Sequence, residues 1–161
     1  MRAAAEGLGV PYEVMPCDPA LADTAAFCEH YGIPPSHSAN TIIVSSKKEP
    51  RQSVACLVLS TTKLDVNHTV SDLMQVRLLS FASAEETIAL TGMMVGGVTV
   101  LALPDSIPLY IDAAVMKPDY VIIGGGSRSM KIRMAPEHLR RIPNAKVIEG
   151  LAVLRELKIE N

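Results

Sequence analysis

Two glycine clusters form the part of the sequence in which residue type and spacing point to chemistry. The first, Gly96-Gly97, stands in the run 91–98, and the second, 124–126, ends the apolar run 120–123. We expect each cluster to mark a junction between a strand and a loop, where glycine lets backbone N–H groups approach a ligand closely. Two such junctions facing each other would line a pocket with hydrogen-bond donors. That pocket would suit an ester carbonyl or a sugar-phosphate end better than acid–base catalysis by His or Glu.

A basic tract, residues 128–146, follows the second cluster. Its six basic residues, against the single acidic residue Glu137, are Arg128, Lys131, Arg133, Arg140, Arg141 and Lys146. The whole chain carries 15 Lys and Arg against 17 Asp and Glu, whereas a protein that grips long nucleic acid is usually basic overall. Aromatic residues are few, which weakens the case for a platform that stacks single-stranded bases. A solvated charged face is an equal alternative for the tract.

Other catalytic classes find less support in the sequence. No nucleophile-elbow motif frames a Ser or Cys, and neither glycine cluster continues into a dinucleotide or P-loop fingerprint. Cys28 and His30 lack the two further ligands that a zinc site would need, so we expect no metal and no organic cofactor. Cys17 and Cys56 complete an odd set of cysteines without paired spacing. Without a recognisable signal peptide, these thiols favour a reducing cytoplasm.

Length and hydropathy predict a single domain over residues 1–161 that does not enter a membrane. A chain of 161 residues is long enough to bury a sizeable core. The nearly apolar run 88–103 is shorter than the roughly 18–20 residues that span a bilayer. We expect it to form two buried strands joined through Gly96-Gly97, although a β-bulge at these glycines is the alternative.

Capping and stop signals predict short helices between the strands. A Ser83 capping box opens one helix, and Gly9 and Gly32 end two others. The helices are expected over 1–8, 24–31, 64–74, from 83 and over 135–141, and the tail 154–161 is expected to be frayed or helical. Strands are expected over 12–15, 40–45, 53–60, 77–81, 109–112, 120–123, 131–134 and 146–148. The pattern predicts an α+β fold with a mixed, largely antiparallel sheet, partly barrel-like and wrapped by short helices.

These elements arrive in the order of a known family. The chain resembles a YbaK-type domain, the aminoacyl-tRNA deacylase fold that also occurs as the editing insertion of bacterial prolyl-tRNA synthetases. The matching segments are LGVPYEV, DPALADTAAFCEHYGIP, SANTIIV, LDVNHTVSDLMQVRLLSFASAEE, TGMMVGGVTVLAL, YIDAAV and VIIGGGSRSMKIRMAPEHLRRIPNAKVIEG. Each motif is short, but their order and spacing are fairly specific, and the resemblance covers about residues 5–150.

The resemblance implies hydrolysis, in trans, of the ester between a wrong amino acid and the terminal adenosine of a tRNA. It favours a tRNA for proline that carries a small wrong amino acid. The implied partners are the acceptor end of an aminoacyl-tRNA and, as a second candidate, an aminoacyl-tRNA synthetase. The residues implied in catalysis are Asn40, Gly96 and Gly97. The residues expected in substrate binding are Thr91, Gly92, Val98, Asp112, Gly124, Gly125 and Gly126, together with Arg128 and Lys131 as basic residues that follow the second glycine cluster.

One departure from the family pattern affects the expected chemistry. Typical members carry a lysine at the start of the third strand, in a K-T-L pattern, and Asn40 stands at that position here. Asparagine donates a hydrogen bond but carries no charge. The loop 96–102 also reads GGVTVLA in place of GGVSPFG and lacks a stiffening proline.

Three explanations of the departure remain open: a changed substrate, a second cation in place of the lysine, or lost activity. Lys131, Arg128 and Arg133 are the candidate cations, and Lys47 and Lys48 are weaker ones because they lie in the turn at the far end of the strand. Lost activity would leave a binding module of the same fold, for an aminoacyl-adenosine-like ligand or a synthetase. Asn40 and Asp112 could also be simple turn residues.

Overall fold

The structure is a computed structural model that describes residues 2–155. Its strands are β1 (Glu13–Pro16), β2 (Ala39–Ser46), β3 (Ser53–Leu59), β4 (Thr62–Leu64), β5 (Leu79–Phe81), β6 (Leu109–Asp112), β7 (Val121–Gly124), β8 (Met130–Met134), β9 (Ala145–Ile148) and β10 (Ala152–Leu154). Its α-helices are α1 (Arg2–Leu8), α2 (Thr24–Tyr31), α3 (Ser71–Met74) and α4 (Ala84–Thr91).

Three sheets carry the fold. The largest has the strand order β5-β2-β3-β6-β9, in which β3–β6 and β6–β9 are parallel and the other pairs antiparallel. A three-stranded sheet, β1-β8-β7, and a two-stranded sheet, β10-β4, are antiparallel throughout. The prediction of an α+β fold with mixed, largely antiparallel pairing is confirmed. In the described chain the three sheets stay open and are not closed into a barrel, so the barrel-like part of the prediction is wrong.

Both faces of the large sheet are buried. Ile43 and Leu57 contribute to a core shared with β7 and β8, whereas Val44 and Val58 contribute to a second core on the opposite face. This follows from the two-residue alternation of side chains along a strand. A third, smaller cluster around Phe27 packs α2 on the outer face of the three-stranded sheet.

Local capping signals set the helix ends. The hydroxyl of Ser83 accepts from the backbone N–H of Glu86 at 3.1 Å and starts α4, and Gly92 ends it with φ of +73°. Gly32 ends α2 in the same way, with φ of +68°. These left-handed residues let an N–H close the last turn, a conformation that glycine adopts without steric cost.

The prediction for residues 88–103 is wrong. Residues up to Thr91 belong to α4, residues 93–99 run without regular structure, and Val100–Ala102 form a turn of 3₁₀-helix. A short apolar run does not by itself distinguish a strand from a buried helix end and loop. The capping box at Ser83 set the helix, and Gly92 ended it.

Two predicted helices take other forms. In the predicted helix 64–74, Leu64 belongs to β4, Val66–Val70 form a π-helical turn capped by Asp65, and α3 follows. Pro136–Arg141 form a 3₁₀-helix with proline in the first turn. Of the predicted tail, residues 156–161 lie outside the described residues. No helix within 2–155 is long and apolar enough to cross a bilayer.

Candidate active site

A cavity of about 280 Å³ opens where the start of α2, the start of β2, the loop 95–98 and the end of β7 meet. Its apolar walls are formed by Ala22, Ala39, Ile42, Val95 and Val98. Its polar side chains are Asp23, Thr24, Asn40, Thr41 and Lys131. Gly96 and Gly124 contribute backbone only. The cavity therefore combines a small apolar space with a few polar groups, which is the usual composition of a small-molecule site.

Lys131 is the cation of this cavity. It lies on β8, is only 8% exposed, and its Nζ donates to the carbonyl oxygens of Ala22 at 2.8 Å and Gly96 at 2.9 Å. An ammonium carries three N–H donors, and the third has no hydrogen-bond acceptor within the described residues. That donor is available to a ligand in the cavity.

The environment of Lys131 is electrostatically unusual. Burial lowers the pKa of its ammonium, and the positive charge of Arg128 acts in the same direction. Cys17, Asp23 and Cys28 act in the opposite direction, but in the part of the chain that the structure describes no carboxylate comes within ion-pair distance of Nζ. A buried charge held by carbonyl dipoles in a cleft, with a shifted pKa, marks a candidate functional group.

Asn40 lies in the same cavity as Lys131. It is the second residue of β2, and its Oδ1 accepts a hydrogen bond from the hydroxyl of Thr24, the first residue of α2. This bond joins the two elements and fixes the orientation of the amide. The Nδ2 group makes no hydrogen bond inside residues 2–155, so it can donate to a ligand.

The two glycine clusters contact each other backbone to backbone. The N–H of Gly126 donates to the carbonyl of Gly97 at 2.8 Å, and the N–H of Gly97 donates to the carbonyl of Met94 at 2.9 Å. A Cβ on Gly124 would lie 2.1 Å from the carbonyl oxygen of Val98. The glycines therefore allow the two loops to pack closely, and the N–H groups of Gly97 and Gly126 are already used within the protein.

Arg128 lies at the rim of the cavity beside Gly96. Its guanidinium donates to the carbonyls of Pro19 and Val95 and contacts the carboxylate of Asp23. Gly96 has φ of +88°, and a Cβ there would lie 2.2 Å from Nη1 of Arg128. The sequence predicts Arg128 in substrate binding, and in the structure four of the five N–H donors of its guanidinium are used by Pro19, Val95 and Asp23.

Asp112, at the end of β6, does not line the cavity. It is 3% exposed, and burial raises the pKa of its carboxyl. Backbone N–H groups of Ala152, Leu151 and Ala113 act in the opposite direction on that pKa. The carboxyl therefore faces the backbone that leads into β10, as a structural turn residue would.

Thr91 and Gly92 form the C-terminal end of α4. The Thr91 hydroxyl donates to the carbonyl of Thr87 at 2.7 Å. Thr91, Gly125 and Gly126 line a second depression of about 330 Å³, beside the glycine contact. A larger depression, of about 620 Å³, lies between β4 and β5 and contains none of the residues predicted from the sequence.

The basic tract divides in the structure. Arg133 lies over the ring of Tyr120 at 3.9 Å from the ring centre, and that ring stacks on His37. Arg141 donates to the carbonyl of Gly9, and neither residue lines the cavity. Of the three candidate cations, only Lys131 lines the cavity.

The sequence did not identify the cavity wall formed by residues 22–24, at and just before the start of α2. Ala22 and Thr24 line the cavity, and Ala22 supplies one carbonyl to Lys131. The available signal was the predicted start of a helix at Asp23 or Thr24, but nothing local shows that this start faces β2. Within residues 2–155, no group of three or more His, Cys, Asp or Glu is placed to hold a metal ion.

Comparison with known proteins gives the same family as the resemblance. The sequence model of the aminoacyl-tRNA editing domain matches residues 18–142. The crystal structure of a hypothetical protein superposes with a TM-score of 0.84 at 23% identity, covering 94% of this chain and 98% of that one. The structure of a proposed trans-editing enzyme for prolyl-tRNA synthetase superposes with a TM-score of 0.79 at 22% identity, covering 96% and 94%. At these identities the two structures show a shared fold.

Proposed function

The chain belongs to the aminoacyl-tRNA editing domain family, and we propose that it hydrolyses the ester bond of mischarged aminoacyl-tRNA in trans. The observation that carries the proposal is the ammonium of Lys131, which lies between the Gly96 loop and the start of α2 and keeps one N–H for a ligand. A cation in this place can take over the contact that a neutral Asn40 cannot make.

The reaction follows from the groups in the cavity. Water adds to the ester carbonyl carbon, the bond from that carbon to the ribose oxygen breaks, and the ribose oxygen leaves with a proton. The carbonyl oxygen becomes negatively charged as water adds, and the free N–H of Lys131 would stabilise that charge. One donor of this kind is worth on the order of 10²–10³ in rate. The Nδ2 group of Asn40 would orient the aminoacyl end.

The apolar lining of the cavity supports a small amino acid as the group removed. The apolar walls are small or branched aliphatic side chains. The tRNA for proline is supported by the fold shared with a proposed trans-editing enzyme for prolyl-tRNA synthetase. We place the acceptor end of that tRNA at the cavity and keep a synthetase as a second partner.

The location proposed for this activity is the cytoplasm, where mischarged tRNA arises. Cys17, Cys28 and Cys56 are free and buried, which suits a reducing compartment.

The test is a deacylation assay on tRNA for proline charged with alanine, cysteine or proline, comparing the wild type with Lys131→Gln. We expect the wild type to hydrolyse the alanyl or cysteinyl ester and Lys131→Gln to lose most of that rate. Arg133→Gln is the matched control, because it removes a charge from the same strand outside the cavity.

Two results would count against the proposal. Equal rates for wild type and Lys131→Gln would remove Lys131 from the chemistry. A wild type that hydrolyses no ester but binds a non-hydrolysable alanyl-adenosine analogue in calorimetry would identify the chain as a binding module of the same fold.

A further inference from the structure

Two basic side chains bridge the same pair of segments. Lys131 joins the carbonyl of Ala22 to the carbonyl of Gly96, inside the cavity. Arg128 joins the carbonyl of Pro19 to the carbonyl of Val95, at the rim. The segment 19–23 and the segment 95–96 are thus linked twice, once by a buried ammonium and once by a guanidinium.

The contacts of Arg128 leave little for a substrate. Its Nε and Nη2 donate to the carbonyl of Pro19 at 3.2 and 3.0 Å, and its Nη1 donates to the carbonyl of Val95 at 2.9 Å and to Asp23 at 3.3 Å. A guanidinium has five N–H donors, so these bonds use four of them. The side chain is 24% exposed, which places the fork against the protein surface and away from open solvent.

The linked segment 95–96 is a wall of the cavity. Val95 and Gly96 line it, and Val95 is itself exposed, so little hydrophobic packing holds the segment in place. The absence of a side chain at Gly96 leaves room for the guanidinium, because a Cβ would lie 2.2 Å from Nη1. Together with the backbone bond between Gly97 and Gly126, the two bridges therefore fix the position of this wall.

We infer that Arg128 is a positioning residue that holds the segment 95–96 against the segment 19–23 and thereby sets the width of the cavity. The expected consequence, discrimination between aminoacyl groups by size, rests on the proposed function. Arg128 acts through the wall and takes no direct contact with the substrate.

The first measurement is hydrogen exchange in the free protein, which does not depend on any activity. The amides of Gly97 and Gly126 report on the loop, because they donate to Met94 and Gly97. We expect exchange at these amides to accelerate about tenfold or more in Arg128→Gln, since hydrogen bonds to a charged group are lost. Arg128→Lys should behave in the same way, because a compact ammonium cannot reproduce the planar fork, which makes four hydrogen bonds to Pro19, Val95 and Asp23.

The second measurement is selectivity, read as the ratio of kcat/KM for the alanyl and prolyl esters of the same tRNA. We expect Arg128→Gln to reduce the ratio about tenfold, the scale on which small changes in a pocket alter discrimination. Gly96→Ala should reduce the ratio as well, because the added Cβ would displace the guanidinium of Arg128 from its place beside residue 96. If the wild type hydrolyses neither ester, the ratio is read from binding of the two non-hydrolysable aminoacyl-adenosine analogues.

Arg133→Gln is the control, since it removes the same charge two residues beyond Lys131 and outside the two bridges. Unchanged exchange at Gly97 and Gly126 in a folded Arg128→Gln protein would overturn the inference. A raised KM for every ester, with unchanged exchange and an unchanged ratio, would also overturn it and would make Arg128 a substrate contact. If exchange accelerates in Arg128→Gln but the wild type hydrolyses no ester, the proposed function is rejected and the positioning role of Arg128 is kept.

Discussion

The Nζ of Lys131 lies 2.9 Å from the carbonyl oxygen of Gly96, so the buried ammonium holds the loop that forms one wall of the cavity. The same ammonium holds Ala22 on the opposite wall. Its third N–H is directed by the two bonds already made, which orients the donor before a ligand arrives. Donors oriented in advance contribute most to stabilising charge that develops in a transition state.

Lys131→Gln should lower the single-turnover rate of deacylation by on the order of 10²–10³, the effect of removing one donor to an oxyanion. The amide of glutamine can donate a hydrogen bond but has no charge. Rates are to be measured by release of labelled amino acid, with melting temperatures recorded for both proteins. A folded Lys131→Gln protein with the wild-type rate would contradict the assignment.

The pH dependence of the reaction should follow the ammonium. Burial lowers the pKa of Lys131 from its ordinary value of 10.5, so the cation is lost at a lower pH than for a free lysine. The rate enhancement over uncatalysed ester hydrolysis should therefore fall as pH rises through that lowered value. Rates at each pH are divided by the rate without protein, and Lys131→Gln should show no such fall.

The free energy of unfolding should rise over the same pH range in which the rate enhancement falls. Between the lowered pKa of folded Lys131 and 10.5 the unfolded chain binds more protons, so the free energy of unfolding rises with pH. Urea denaturation across this range should show that rise in the wild type and a smaller one in Lys131→Gln. An identical dependence of the free energy of unfolding on pH in both proteins would show that the pKa of Lys131 is not lowered.

The elements that the sequence predicted correctly depend on local signals. The Ser83 cap, the Gly32 stop and the short turn 47–50 each act within a few residues, so the helices and the β2–β3 hairpin follow from them. The prediction of two strands over residues 88–103 failed because the apolar residues of this run fit a strand as well as a helix end. The Ser83 cap and Gly92 set the end of α4, whereas the course of the following loop depends on the contact of Gly97 with Gly126, which are far apart in the chain.

The candidate site was predictable in its residue types and not in its arrangement. The uncharged Asn40 makes a second cation one explanation of the departure, and Lys131 is one of three candidate cations in the sequence. The bond from Thr24 to Asn40 and the bridges made by Arg128 join residues far apart in the chain. Charge and spacing do not reveal which basic residue a fold buries, so Arg128, Lys131 and Arg133 were equivalent in the sequence.

Gly124→Ala should destabilise the fold by about 1–3 kcal/mol, the usual cost of overpacking. Its Cβ would lie 2.1 Å from the carbonyl oxygen of Val98, and a backbone atom cannot turn aside as a side chain can. Gly7→Ala is the matched control, because a Cβ on Gly7, in α1, meets nothing within 4 Å. Denaturant titrations should show a lower midpoint than the wild type for Gly124→Ala and no lower midpoint for Gly7→Ala. A Gly124→Ala midpoint equal to that of the wild type would refute the close packing of the loops.

Asp112→Asn should change how stability depends on pH. Burial raises the pKa of this carboxyl above its ordinary value of 3.8, so the folded state binds the proton more tightly than the unfolded chain. The contribution of Asp112 is therefore present at low pH and is lost as pH rises from 3.8 through the raised value. The variant should lack that component in melts between acid and neutral pH. A fall in kcat/KM with no change in the melts would instead support the substrate contact that the resemblance implies.

Asn40→Lys should restore activity to the Lys131→Gln protein. Both positions line one cavity, so a lysine at position 40 can present its ammonium to the same space. In the wild-type background the same change should not raise the rate, because two ammonium groups in a cavity of about 280 Å³ repel each other and disfavour the charged forms. The four proteins of this cycle are compared by single-turnover deacylation of alanyl-tRNA for proline.

Asn67→Lys in the Lys131→Gln background supplies the same added charge at an exposed position outside the cavity, and it should restore nothing. If Asn40→Lys also restores nothing while the wild type is active, the place of the ammonium matters as much as its charge, and the two lysine positions are not interchangeable.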